Sequence, residues 1–180
     1  MFQNKTFELS EGKIATRSSG GNGSKNNLCT TTVMESGQHR ISIKLMKGSA
    51  SYLNHMFGVI RDGRAWDVTN NVGGLQSDST DAWYMYSSDG GLNGNEKYDS
   101  DLAGSINDGQ IISMVADLDK GTLRFWLDGQ PHGPGWSSGV KGKLRWSVCM
   151  ICKGAAVQIV PTPELQPWTE WDGARRWAPP

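Results

Sequence analysis

The sequence predicts an all-β fold, a sandwich or barrel of many short strands. Three observations predict it. Apolar residues recur with the two-residue period of strands, no segment sustains a helical period over three turns, and clusters of turn residues separate the apolar runs. Gly alone supplies 23 of the 180 residues, which suits short elements joined by tight turns.

The elements follow in order. Residues 39–46, HRISIKLM, place Ile41, Ile43 and Leu45 on one face and Ser42 and Lys44 on the other, the mark of a half-buried strand. Residues 56–60, MFGVI, are apolar throughout and read as a buried strand, and residues 82–86, AWYMY, as an aromatic one. Residues 111–117, IISMVAD, form another buried run. Residues 122–127, TLRFWL, alternate Leu123, Phe125 and Leu127 against Arg124 and Trp126. Residues 144–151 and 155–160 complete the set, and the stretches 18–27, 68–81 and 87–101 read as loops.

The segment DLDKGTLRFWLDGQPHG, residues 117–133, holds Asp117, Asp119, Asp128 and His132, and so tests whether acids here mean chemistry or geometry. Gly121 suits a left-handed position closing a short hairpin loop, and Asp128-Gly129 suits a two-residue turn with positive φ at both positions. The acids then act as turn-formers that accept bonds from nearby backbone amides.

Lys plus Arg and Asp plus Glu number 18 each, a balance that argues against nucleic acid as the main partner. No apolar run reaches the length of a membrane span, and the N-terminal residues lack the apolar stretch of a secretion signal. Three cysteines, Cys29, Cys149 and Cys152, suggest reduced thiols and a cytoplasmic setting, with the nucleus as the alternative. The chain divides into a domain over 1–160 and a tail over 161–180 that holds five of the seven prolines and three of the eight tryptophans. Proline ends ladder pairing, and rings of this size are disfavoured in water, so the tail is expected to pack back on the sandwich. The sharper alternative for the tail is an exposed partner-binding motif.

The run GQIISMVADLDKGTLRFWLDGQPHGPGW, residues 109–136, resembles the centre of a SPRY domain, the core of the B30.2 family. Residues 141–159, KGKLRWSVCMICKGAAVQI, resemble the family's next strand pair, and the resemblance spans roughly residues 8–160 without an extended PRY segment. Arg145-Trp146 stands where the family usually carries a proline. The resemblance implies a bent antiparallel β-sandwich of concanavalin-like jelly-roll type. It further implies a non-catalytic module that binds a protein or short peptide through end loops and needs no cofactor. It is expected to be monomeric and can be one part of a larger protein.

Carried onto this chain, the resemblance marks Arg61, Asp62, Arg64 and Trp66 in one contact loop, Asn70 and Asn71 in a second, and Lys153 in a third. Residue chemistry favours the first, because Arg and Trp are enriched in interface hot spots and Arg61 and Arg64 could clamp a carboxylate. A lectin-like sandwich, with Trp66 or Trp136 stacked on sugar, is the alternative, and a glycoside hydrolase by fold analogy is weaker. Cys149-x-x-Cys152 is a poor zinc motif, because strand alternation sends the two thiols to opposite faces. Residues 89–100 lack the ligands of a helix-loop-helix calcium loop, and His39, His55 and His132 sit in no nucleophile motif.

Overall fold

The computed structural model describes residues 2–3, 7–10, 14–18, 26–47, 55–63, 81–94, 97–99 and 102–169. Fourteen strands and no helix occur among them. They are β1 (Phe2–Gln3), β2 (Phe7–Ser10), β3 (Ile14–Arg17), β4 (Asn26–Thr30), β5 (Gln38–Lys47), β6 (Met56–Arg61) and β7 (Ala82–Tyr86). There follow β8 (Leu92–Gly94), β9 (Lys97–Asp99), β10 (Ile111–Asp117), β11 (Thr122–Leu127), β12 (Gln130–Pro131), β13 (Leu144–Met150) and β14 (Ala156–Val160).

They form two antiparallel sheets, β1-β4-β13-β6-β7-β8-β9 and β12-β11-β10-β5-β14-β3-β2. Ile41, Ile43, Leu45, Met114, Leu123 and Phe125 of the second sheet pack against Phe57, Val59, Trp83, Met85, Trp146 and Val148 of the first. The alternation in β5 and β11 thus faces the core as expected. The unbroken apolar runs of β6 and β7 have a different cause. Their alternate residues Met56, Ile60, Ala82 and Tyr84 join Cys29 and Cys149 in a second buried cluster on the far face of the first sheet. Both faces are buried, so neither strand needs to alternate. Cys149 belongs to this outer cluster and Cys152 to the main core, opposite faces as expected.

The turns of the central segment follow their sequence chemistry. Asp128 and Gly129 take φ of 49° and 84°, and β11 pairs with β12 across them. Asp128 accepts from the Ile111 amide and the Gln110 side chain, both at 2.9 Å. Asp117 accepts from the Lys120 amide of its own turn, as expected, whereas Asp119 accepts from the Gly37 amide of a distant segment, also at 2.9 Å.

Two loop expectations need correction. The stretch 87–101 contains β8 and β9, and the stretch 18–27 runs into β4. Leu92 is buried against the core and pairs with Met85, so ladder bonds and one apolar side chain override the glycine-rich composition. The stretch 68–80 lies outside the described residues, and Asp81 precedes β7 in a turn.

Candidate functional site

The strand register decides which candidate residues share a place. Leu144 at the start of β13 faces Arg61, and Cys149 near its end faces Met56. Arg61 and Asp62 therefore sit at the Leu144 end of the first sheet. Lys153 is exposed in the turn beyond Met150, at the opposite end. Six strand steps separate Leu144 from Met150, about 20 Å. Of the candidate contact residues, the described Arg61 and Asp62 thus lie at one end of β13 and Lys153 beyond the other. Arg64, Trp66, Asn70 and Asn71 lie outside the described residues.

At the Leu144 end, four segments are tied together through the backbone. Arg61 N donates to Asp81 O at 2.7 Å, Asp62 N to Lys143 O at 2.8 Å, and Met34 and Leu144 exchange bonds at 2.8 and 2.9 Å. Side chains lock the same points. Arg61 Nε reaches Asp81 Oδ1 at 3.0 Å, joining the two ends of the connection between β6 and β7. Arg145 Nε reaches Asp62 Oδ1 at 2.6 Å, while its Nη1 donates to the carbonyls of Thr30 and Thr31. The Arg145 bond holds the Asp62 carboxyl below its ordinary range. The Arg61 guanidinium also lies 5.6 Å from the Trp83 ring centroid and donates to Lys141 O at 3.4 Å.

These pairs change the roles read from sequence. Arg61 and Asp62 are engaged by their own chain, Arg61 through its Nε to Asp81 and Asp62 through Arg145 Nε. Their arrangement holds the two ends of the connection between β6 and β7. Sequence reading missed Asp81, Arg145, Lys143 and Glu35. Lys143 and Glu35 pair at 2.9 Å on the exposed rim, a contact worth little by itself. No local pattern links Arg61 to Asp81, 20 positions away, or Asp62 to Arg145, 83 away. The one available signal was Arg145 itself, a cation where the SPRY pattern carries proline. Lys120 and Lys141 are exposed near this end, with Lys141 beside Gly121. Among the described residues, no group of three or more His, Cys, Asp or Glu could hold a metal ion.

No family model and no curated protein matches the sequence. Solved structures do match in shape. The SPRY domain of human HERC1 superposes with a TM-score of 0.71 at 21% identity, covering 88% of this chain and 96% of that one. The TRIM65 PSpry domain gives 0.64 at 13% identity, covering 88% and 85%. A human SPRY domain gives 0.62 at 17% identity, covering 92% and 99%. Identities this low carry architecture and nothing finer, and on that architecture the chain is folded as a SPRY domain.

Proposed function

We propose that the chain is a non-catalytic module that binds a protein or peptide through the loops at its Leu144 end. The observation that carries this reading is the double lock on the connection between β6 and β7, Arg61 with Asp81 and Asp62 with Arg145. A connection fixed at both ends can present variable residues without itself reorganising, the arrangement expected of a recognition loop on a rigid scaffold. The likeness in fold to solved SPRY domains supports protein interaction as the general role. Arg64 and Trp66, beyond the lock, are the proposed contacts, with Arg61 and Asp62 as positioning residues. The exposed cation Lys141 suits a partner segment that carries a carboxylate.

The test is capture of partners on the immobilised domain, comparing wild type with Arg64→Ala, Trp66→Ala and Lys153→Ala. The first two are expected to lose at least tenfold in retention with the thermal transition unchanged, and Lys153→Ala to retain fully. Equal retention by all three variants would overturn the assignment.

A further inference from the structure

Residues 161–169 follow β14 without joining a ladder, yet they are fastened at two places. Ser42 Oγ donates to Thr162 Oγ1 at 3.0 Å. At the other end, Gln166 N donates to Gly129 O at 2.9 Å and Trp126 Nε1 donates to Gln166 O at 2.8 Å. Trp168 then meets Trp126 edge-on, with centroids 5.1 Å apart and planes at 69°. The Arg124 guanidinium lies 4.9 Å from the Trp168 centroid, and its Nη1 donates to Pro134 O at 2.7 Å.

The floor beneath this segment is set by strand register. Ser42, Ser113, Trp126 and Pro131 face one another in a row across β5, β10, β11 and β12. Their chain neighbours Ile41, Ile43, Ile112, Met114, Phe125 and Leu127 belong to the core, so alternation turns the row outward. Outward positions are ordinarily wet, but Ser42, Ser113 and Trp126 are buried. Two inter-strand steps from β5 to β11 span roughly 10 Å. Four extended residues, 162 to 166, reach about 13 Å, so the segment crosses the row nearly straight.

The contact has the physics of peptide recognition. At Gln166 both backbone polar groups are read, one of them by an indole N–H. Pro161, Pro163 and Pro167 hold the segment extended in advance, which lowers the entropy lost on docking. Trp168 is the anchor, placed between a second indole and a cation. Residues 161, 164, 166, 167 and 169 remain exposed, so the hold rests on few groups.

We propose that the outward face of β11, centred on Trp126 and Arg124, is a docking groove for extended proline-flanked segments carrying a Gln-Pro-Trp anchor. The chain's own residues 162–168 are its occupant in cis, and a peptide of the same chemistry competes for it in trans. This groove is separate from the loop end proposed above. Tethering gives the cis segment an effective concentration of order millimolar, so the groove opens to a free peptide when the anchor is removed.

The experiment is fluorescence anisotropy with a labelled peptide PTPELQPWT against the full chain. Trp168→Ala is expected to bind this peptide at least tenfold more tightly than wild type. Adding Trp126→Phe, which keeps the ring packing but removes the donor, is expected to reverse that gain at least tenfold. Adding Arg124→Ala, at a half-buried side chain, makes the same comparison should Trp126→Phe disturb the fold. A Trp168→Ala chain that binds no more tightly than wild type would overturn the proposal. So would binding that survives both additions.

Discussion

At the scale of single residues, Gly58 carries more than its sequence position suggests. It lies in register between Ser147 of β13 and Tyr84 of β7. Tyr84 Oη donates to Ser147 Oγ at 2.7 Å, so the phenol reaches across Gly58, and Cys29 Sγ donates to the same oxygen at 3.4 Å. A Cβ at position 58 would stand 2.0 Å from the Trp83 carbonyl oxygen, which backbone alone can relieve. Gly58→Ala is expected to cost about 2–3 kcal/mol through overpacking, read as a lower urea midpoint. A change below about 0.5 kcal/mol, the level of an ordinary surface substitution, would contradict this packing. Burial also pushes the Cys29 thiol up to about 11, against the lowering effect of its Ser147 bond, which leaves it a poor nucleophile. None of these partnerships was legible in the sequence. Each joins residues on different strands, and only the register brings them together.

At the scale of elements, legibility followed burial pattern. β5, β7, β10 and β11 were readable because their apolar side chains recur at strand period or fill an unbroken buried run. The turn at Asp128-Gly129 was readable because few residue pairs accept positive φ in succession. β8 and β9 were not, because three-residue strands are defined by their ladder bonds rather than by any periodicity. The candidate loop stood out for its Arg and Trp composition, and Arg64 and Trp66 lie outside the described residues. Its lock was not legible, since Asp81 and Arg145 are distant in sequence. The position of Lys153, beyond the far end of β13, was not legible, because loops at either end of a strand look alike until the register is known.

At the scale of the whole molecule, two buried histidines set the acid limit of stability. His132 is buried, its backbone N–H bonded to Phe125 O at 2.9 Å, and burial lowers its imidazole pKa to about 4 against the opposing effect of the Gly104 carbonyl. His55 is fully buried and likewise lowered to about 4 by burial, with Asp108 opposing and Arg17 adding to the shift. Both are neutral in the folded chain where the unfolded chain, near 6.5, already takes up protons. Stability is therefore full above pH 6.5 and falls as pH drops toward 4, by about 3 kcal/mol for each histidine. Thermal melts between pH 7 and pH 4 are expected to show this decline, with His132→Gln losing roughly half of the slope. A flat profile over that interval would contradict neutral burial of the pair. The balanced charge, 18 cations against 18 anions, gives no competing global repulsion near neutrality.

The all-β class was the most legible feature of all, because spaced apolar runs and turn residues mark short strands, while the sandwich itself was an expectation from the SPRY resemblance. The direction of recognition was the least legible. It is tested most directly by titrating a captured partner into the isotopically labelled domain and following backbone amide shifts. The account expects the perturbed amides to cluster at residues 31–37, 61–63, 81 and 141–145. Perturbations centred instead on residues 151–154, at the opposite end of β13, would contradict it.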